Sequence, residues 1–241
     1  MKKTALIGLL GIWYLVSALI SKPFLPPPHT VIIHSLSQLV SGNLAGHLLI
    51  SLYRITAAML ISMLLAVPLA IAAGRIRIID HLVSPSARLL YPIPKAALLP
   101  LIMLFFGLGD ASKIILIALI IFFQLFFVVR DASAGIDSRY IDSIVSLGAR
   151  KTDVLIHVLI PSILPGLFTA LRISSGTAAA VLFLAETFAS VTGLGWYIID
   201  AWARLDYHDM YAGIVCLSLV GSALFVLFDA CERRFCSWRT I

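Results

Sequence analysis

Residues 146–166 read SLGARKTDVLIHVLIPSILPG. A glycine stands near the start, a basic pair follows, a run with helical spacing comes next, and Pro161 and Pro165 close it. The stretch is amphipathic, yet long apolar runs flank it on both sides. Of the 241 residues, 61% are hydrophobic and 12% charged, with a mean hydropathy of +1.03; ordinary soluble domains carry roughly 25% charged residues. This is the composition of a membrane protein, whose length is best counted in spans of about 20 residues.

The apolar runs between charges are 4–21, 55–74, 89–109, 114–129, 162–190 and 210–228. They predict an all-α integral membrane protein of about six transmembrane helices, forming one domain over residues 1–241. The third run contains Pro92, Pro94, Lys95 and Pro100, so its first part is expected to be broken or extended. The first run follows Lys2 and Lys3 and ends in SKPFLPPP at 21–28 rather than at a small-residue cleavage site. It is read as an uncleaved first span.

With the N-terminus in the cytoplasm, the inside segments hold Lys2, Lys3, Arg75, Arg77, Arg88, Arg130, Arg139, Arg150, Lys151, Arg233, Arg234 and Arg239. The outside segments hold Lys22, Lys113 and Arg204, while Arg54, Lys95 and Arg172 fall at span edges or inside spans. The positive-inside rule then places both termini and the 131–161 loop in the cytoplasm, as in an inner-membrane multi-pass protein. The net charge of +6 forms no basic stripe with interleaved aromatics, so nucleic acid is not the partner. The bilayer is. The outer connection GLGWYIIDAWARLDYHDMY (193–211) carries an aromatic belt.

Segment 131–161 is too polar to span. One helix is expected around 138–147, ending at Gly148 in a left-handed cap; a second is expected from Thr152 as N-cap, with Asp153 in its first turn, stopping before Pro161. Val154, Leu155, Val158 and Leu159 share one face. Two readings fit this pattern: an amphipathic helix lying on lipid, or a helix-turn-helix knob fitting a groove on another protein.

In the fifth run Arg172 and Glu186 lie fourteen residues apart, nearly four turns and about 21 Å along a helix. Gly176, Ala179 and Phe183 fall near the same face, a candidate lining for a pathway. The alternative is that both charges snorkel or pair structurally. Gly166, Ala170, Ser174 and Ala178 form a small-residue packing stripe on another side. Arg54 reads as a snorkelling anchor.

Enzyme chemistry finds no constellation here. There is no G-x-S-x-G elbow, and His29, His34, His47, His81, His157 and His208 are scattered without the i, i+4 pairing of a helical metal site. Cys216, Cys231 and Cys236 read as reduced thiols without a role. No phosphate-binding G-x-x-x-x-G-K-[ST] occurs, so no ATP site is expected in this chain.

The loop resembles the cytoplasmic loop of ABC importer permeases, whose motif is E-A-A, three residues, G, nine residues, I, one residue, L-P. Asp142 stands for the Glu, Ser143 and Ile144 for the alanines, Gly148 for the glycine, Val158 for the isoleucine, and Ile160 with Pro161 for the L-P. HLLISLYRITAAMLISMLLAVPLA (47–70), YPIPKAALLPLIMLFFGLGDASKI (91–114), LPGLFTALRISSGTAAAVLFLAE (164–186) and GLGWYI (193–198) are similar to permeases of nitrate, sulfonate, taurine and bicarbonate importers. The resemblance implies a homodimer or pseudo-symmetric pair of six-helix subunits. Each would dock a cytoplasmic ATPase, carrying ATP and Mg, through a coupling helix built around Asp142, Ser143, Leu147, Gly148, Ala149, Val158, Ile160 and Pro161. A binding protein would deliver a small anionic solute from the other side. The rival is an ATP-independent carrier or channel, which needs no ATPase dock.

Overall fold

The computed structural model describes residues 2–188 and 190–238, and every regular element among them is helical. Arg239, one of the basic residues assigned inside, lies outside the described residues. Packing divides the chain into two compact units, Met1–Arg54 with Leu182–Val220, and Ile55–Val181 with Gly221–Ile241.

The first unit begins with α1 (Lys2–Ile20), followed by a proline-rich turn in which Ser17 Oγ donates to the Leu25 carbonyl at 2.8 Å. Pro28 opens α2 (Pro28–Ser41), where its missing N–H costs nothing. The unit also holds the start of α3 (Asn43–Arg75), the end of α9 (Ile160–Thr187), α10 (Leu194–Ala203) and the first half of α11 (Tyr207–Phe235). Trp13 of α1 packs on Tyr211 of α11 at 5.7 Å between ring centroids.

The second unit is organised around α6 (Asp110–Ala134), whose Leu116, Ile117, Ile121, Leu125, Phe126 and Val129 are fully enclosed. Two stripes of small residues let neighbouring backbones approach it, the packing device available where lipid is as apolar as leucine. On α3, Ser62 donates to the Ala118 carbonyl at 2.8 Å, and a Cβ on Gly74 would come within 2.7 Å of the Arg130 carbonyl. On α9, Ser174 donates to Gln124 Oε1 at 2.8 Å, and a Cβ on Gly166 would meet Ala132 and Val128 at ordinary contact distance. The Gly166, Ala170, Ser174, Ala178 stripe therefore packs within the subunit, against α6. Against α11, Phe168 of α9 stacks on Phe235 and Arg172 meets Asp229.

These contacts fix direction. Residues 62 and 74 of α3 pair with 118 and 130 of α6, so the two helices run parallel, whereas 166 and 174 of α9 pair with 132 and 124, so α9 is antiparallel. Two parallel neighbours require the chain between them to return along the full length of α6. That return is made by α4 (Arg77–Leu90), a 3-10 turn at Lys95–Leu98 and α5 (Leu99–Phe106), with an 85° bend between the halves. The pair is thus a broken span.

The break expected in the first part of the 89–109 run is present in this arrangement. Pro92 and Pro94 remove donors at the break, and Lys95 closes it by donating to the carbonyls of Leu90, Tyr91 and Ile93 at 3.1, 2.5 and 3.3 Å. Its amine also lies over the Phe123 ring, 4.5 Å from the centroid. Four helices, α3, α6, the run 151–187 and α11, are long and apolar enough to cross alone; the bent pair makes a fifth, and residues 7–20 of α1 form a shorter apolar helix. The six expected runs all have helical counterparts, though α3 begins at Asn43, well before the expected 55.

Candidate functional site

Two places draw together the chemistry singled out above, one in each unit. The first is the segment between α6 and α9. Asp137 caps α7 (Ser138–Ser146), its side chain accepting from the Arg139 backbone N–H at 2.9 Å. The Arg139 guanidinium, and after it that backbone bond, hold the Asp137 carboxyl below the usual carboxylate range. At the other end Gly148 takes φ +86°. Its N–H bonds to the Val145 carbonyl at 2.9 Å and that of Ala149 to Ile144 at 3.1 Å, the paired bonds of a Schellman stop. Glycine reaches this left-handed geometry without the strain a Cβ would add.

The second limb starts earlier than expected. Arg150, not Thr152, is the N-cap of α8 (Lys151–Val154), and the Asp153 carboxylate accepts from the Arg150 N–H at 2.8 Å. Nor does the helix stop before Pro161. A π-turn at Leu155–Leu159 widens the backbone, with the Ile160 N–H bonding back to Leu155, and the chain runs on into α9. The wider turn accommodates the proline ring that would strike the carbonyl four residues back in a regular helix.

No residue of α7 or α8 is buried. Leu147, at the tip, is 87% exposed, and Tyr140, Val145 and Ile156 are exposed around it. Asp142 and Ser143 lie on the exposed surface of α7, the Ser143 hydroxyl turned back to the Arg139 carbonyl at 2.7 Å. Of the predicted coupling residues, Asp142, Ser143, Leu147, Gly148 and Ala149 therefore gather at the α7 end and the turn. Val158, Ile160 and Pro161 sit on the second limb beside the buried Leu159 and Ile163, which root it in the core.

The second place is the carboxylate of Glu186, which has no exposed surface. It accepts from Ser51 Oγ at 2.8 and 2.9 Å, from Arg54 Nη1 at 2.8 Å and from the Gly195 backbone N–H at 2.8 Å. Arg54, 3% exposed, also donates to the Thr192 carbonyl and hydroxyl, both at 3.0 Å. Ser51 Oγ accepts from the Leu194 N–H at 2.8 Å, and His47 Nδ1 from the Gly193 N–H at 3.1 Å. His47, Ser51 and Arg54 follow the i, i+4, i+7 spacing of one face of α3, and that face with Glu186 answers the backbone of the α9–α10 turn and the first N–H groups of α10. A carboxylate there also meets the positive end of the α10 dipole. Gly195 permits the closeness, since a Cβ on it would come within 2.7 Å of both Glu186 Cβ and the Phe183 carbonyl.

Arg54 is therefore an internal partner and not a snorkelling anchor. The sequence signal was present, an Ser51-x-x-Arg54 pair one turn apart inside an apolar run, but its acid lies 132 residues away. Arg172 is likewise occupied, by Asp229 at 2.9 Å and Glu232 at 3.0 Å on α11. Of the candidate pathway residues, Ala179 is half-buried beside Gly221, and Gly176 is open, with nothing within 4 Å of where its Cβ would sit. Among the described residues no cluster of three or more His, Cys, Asp or Glu side chains could hold a metal.

Comparison with known proteins addresses the chain as a whole. Residues 66–236 match the family described as binding-protein-dependent transport system inner membrane component. The chain is 35% identical over 240 residues to the taurine transport system permease protein TauC of Escherichia coli strain K12, covering 95% of this chain and 86% of that protein. It is 30% identical over 233 residues to a Bacillus subtilis strain 168 protein named as an aliphatic sulfonates transport permease, SsuC, covering 96% and 84%. Among solved structures, an inward-facing conformation of the MetNI methionine ABC transporter shares the fold, with a TM-score of 0.66 at 18% identity over 80% of this chain and 95% of the other.

Proposed function

This chain belongs to the binding-protein-dependent transport system inner membrane components, and from that premise we propose that it forms the translocation pathway of an importer whose ATPase docks on the α7–Gly148–α8 projection. The chain is a permease subunit of an ABC importer, and ATP hydrolysis in this family belongs to a separate ATPase subunit. The specific reading follows from one observation. A nine-residue helix with no buried residue, locked by a Schellman stop and ending in an 87% exposed leucine, packs little on its own subunit. Such an exposed apolar tip suits half of an interface. An ATP-independent carrier has no use for such a projection.

The ends of α3, α6 and α11 and the start of α9 lie together in the second unit, and Arg75, Arg77, Arg130, Arg139, Arg150, Lys151, Arg233 and Arg234 collect there. This supports a cytoplasmic position for that end in the inner membrane. A second copy of the chain would complete the pathway. On α9 the open Gly176 and neighbouring Ala179 are the positions we assign to its lining. Arg172 and Glu186, each held by partners, keep that helix in place. Because two carboxylates already answer Arg172, the cargo assignment does not rest on it. It rests on the kinship with permeases named for taurine and aliphatic sulfonates, and a small sulfonate is the proposed solute.

Gly148→Val tests the dock. A β-branched residue at φ +86° costs on the order of 1 kcal/mol or more and tilts the knob. Insertion into the membrane should survive, while ATPase co-purification and uptake fall. Unchanged co-purification and uptake would reject the docking role.

A further inference from the structure

Helix α4 is inside out. Its Asp80, Ser84 and Ala87, spaced i, i+4, i+7, face the protein: Asp80 binds Arg130 of α6 through both oxygens at 2.9 and 2.6 Å, and Ser84 and Ala87 are buried. On the opposite side, Ile78, Leu82 and Leu89 repeat at i, i+4, i+11 and are all exposed. A third face, at 60 to 100° from the buried one by the 100° step per residue, carries Arg77, His81 and Arg88. Water would leave the apolar face uncompensated, and a span through the bilayer centre would leave the two arginines so.

Its depth is set by its contacts. Asp80 meets α6 at Arg130, while Tyr91, just past the end of α4, meets Phe127 and Phe123 at 5.3 and 6.4 Å between ring centroids. The seven residues from Phe123 to Arg130 rise about 10 Å, whereas the eleven from Asp80 to Tyr91 span about 17 Å. The helix is therefore steeply inclined to α6 and confined to its last three turns, the level of a headgroup region when α6 crosses the bilayer. Beside it, Ser84, Arg88, Tyr91, Phe127, Arg130 and Asp131 line a cavity of about 400 Å³. Asp80 and Asp131 both meet Arg130, which leaves Arg77 and Arg88 as the cationic side chains the flank presents to that level.

We propose that α4 is a lipid-binding helix: Ile78, Leu82 and Leu89 bed in the acyl region of the leaflet at the C-terminal end of α6, and Arg77 and Arg88 bind anionic phospholipid headgroups, one phosphodiester entering the cavity beside Arg88. The occupant is lipid, because the apolar face and the cationic flank lie at adjacent depths on one helix that is continuous with membrane-crossing elements on both sides. The inference requires only that α6 crosses the bilayer and is independent of the ATPase dock.

A photo-crosslinking benzoylphenylalanine at position 82 of the otherwise native chain, in nanodiscs of phosphatidylglycerol and phosphatidylcholine, reads the apolar face. Lipid adducts are expected; adducts to the ATPase or to a second permease would overturn the assignment. The flank is read by retention of phosphatidylglycerol over phosphatidylcholine in the purified complex, by mass spectrometry. Each basic residue near an anionic surface contributes about fivefold, so Arg77→Gln with Arg88→Gln should lower the preference by about 25-fold, and about 0.5 M salt should weaken it in the unsubstituted chain. Equal retention by the doubly substituted chain, or displacement of the lipid by millimolar inorganic phosphate, would refute headgroup binding.

Discussion

Replacing Glu186 by Gln separates two roles for the acid in α9. The carboxylate accepts from three donors, the Ser51 hydroxyl shared between its two oxygens, Arg54 and the Gly195 N–H. An amide keeps one oxygen and presents its NH₂ to a cluster made of donors, so at least one buried donor loses its acceptor, at about 1 to 3 kcal/mol. Arg54, 3% exposed, also loses its counter-charge, and breaking a buried pair from one side costs about 3 to 5 kcal/mol. These losses overlap, so the total expected is about 3 to 5 kcal/mol, a third or more of the 5 to 15 kcal/mol that holds a typical domain together. Denaturant titration of the purified complex, beside limited proteolysis of the 190–193 turn, would read it. The Arg54→Met, Glu186→Met pair should lose less than either single change, because it removes both charges together. Full stability in Glu186→Gln with altered uptake would refute the structural role and return the acid to the pathway.

Gly195→Ala should mimic that loss without touching a charge, since its Cβ would strike the Phe183 carbonyl; a normal thermal midpoint would contradict the packing. Lys95→Met leaves the carbonyls of Leu90, Tyr91 and Ile93 without their amine, and a thermal midpoint lowered in line with about 1 to 3 kcal/mol is expected in the purified complex. Leu147→Asp changes an 87% exposed side chain, so subunit stability should move by less than about 0.5 kcal/mol, while ATPase affinity measured by titration falls tenfold or more.

What the sequence revealed follows the range of each interaction. The Gly148 stop was legible because the requirement is local: a left-handed residue after a nine-residue helix is a property of one backbone position. The break at Lys95 was legible from its prolines, but the consequence, a bent return along α6, needed the parallel packing of α3 and α6. Pro161 was misread as a stop because the π-turn that admits it is a backbone adjustment with no side-chain signature. Arg54 was misread because apolar surroundings suggest an edge residue until the distant acid is seen. The charges of α9 were visible as unusual, whereas their partners, on α3 and α11, lie far away in the chain.

The central claim, that the α7–Gly148–α8 knob is where the ATPase is read, is tested most directly by a photo-crosslinking residue at position 147 of the intact complex in native membranes. The account predicts an adduct with the ATPase subunit as the main product, its yield changing when ATP is bound and hydrolysed, and little adduct from position 24 in the turn after α1. Lipid adducts at 147 with none to the ATPase would contradict it, and would return the segment to an amphipathic surface anchor.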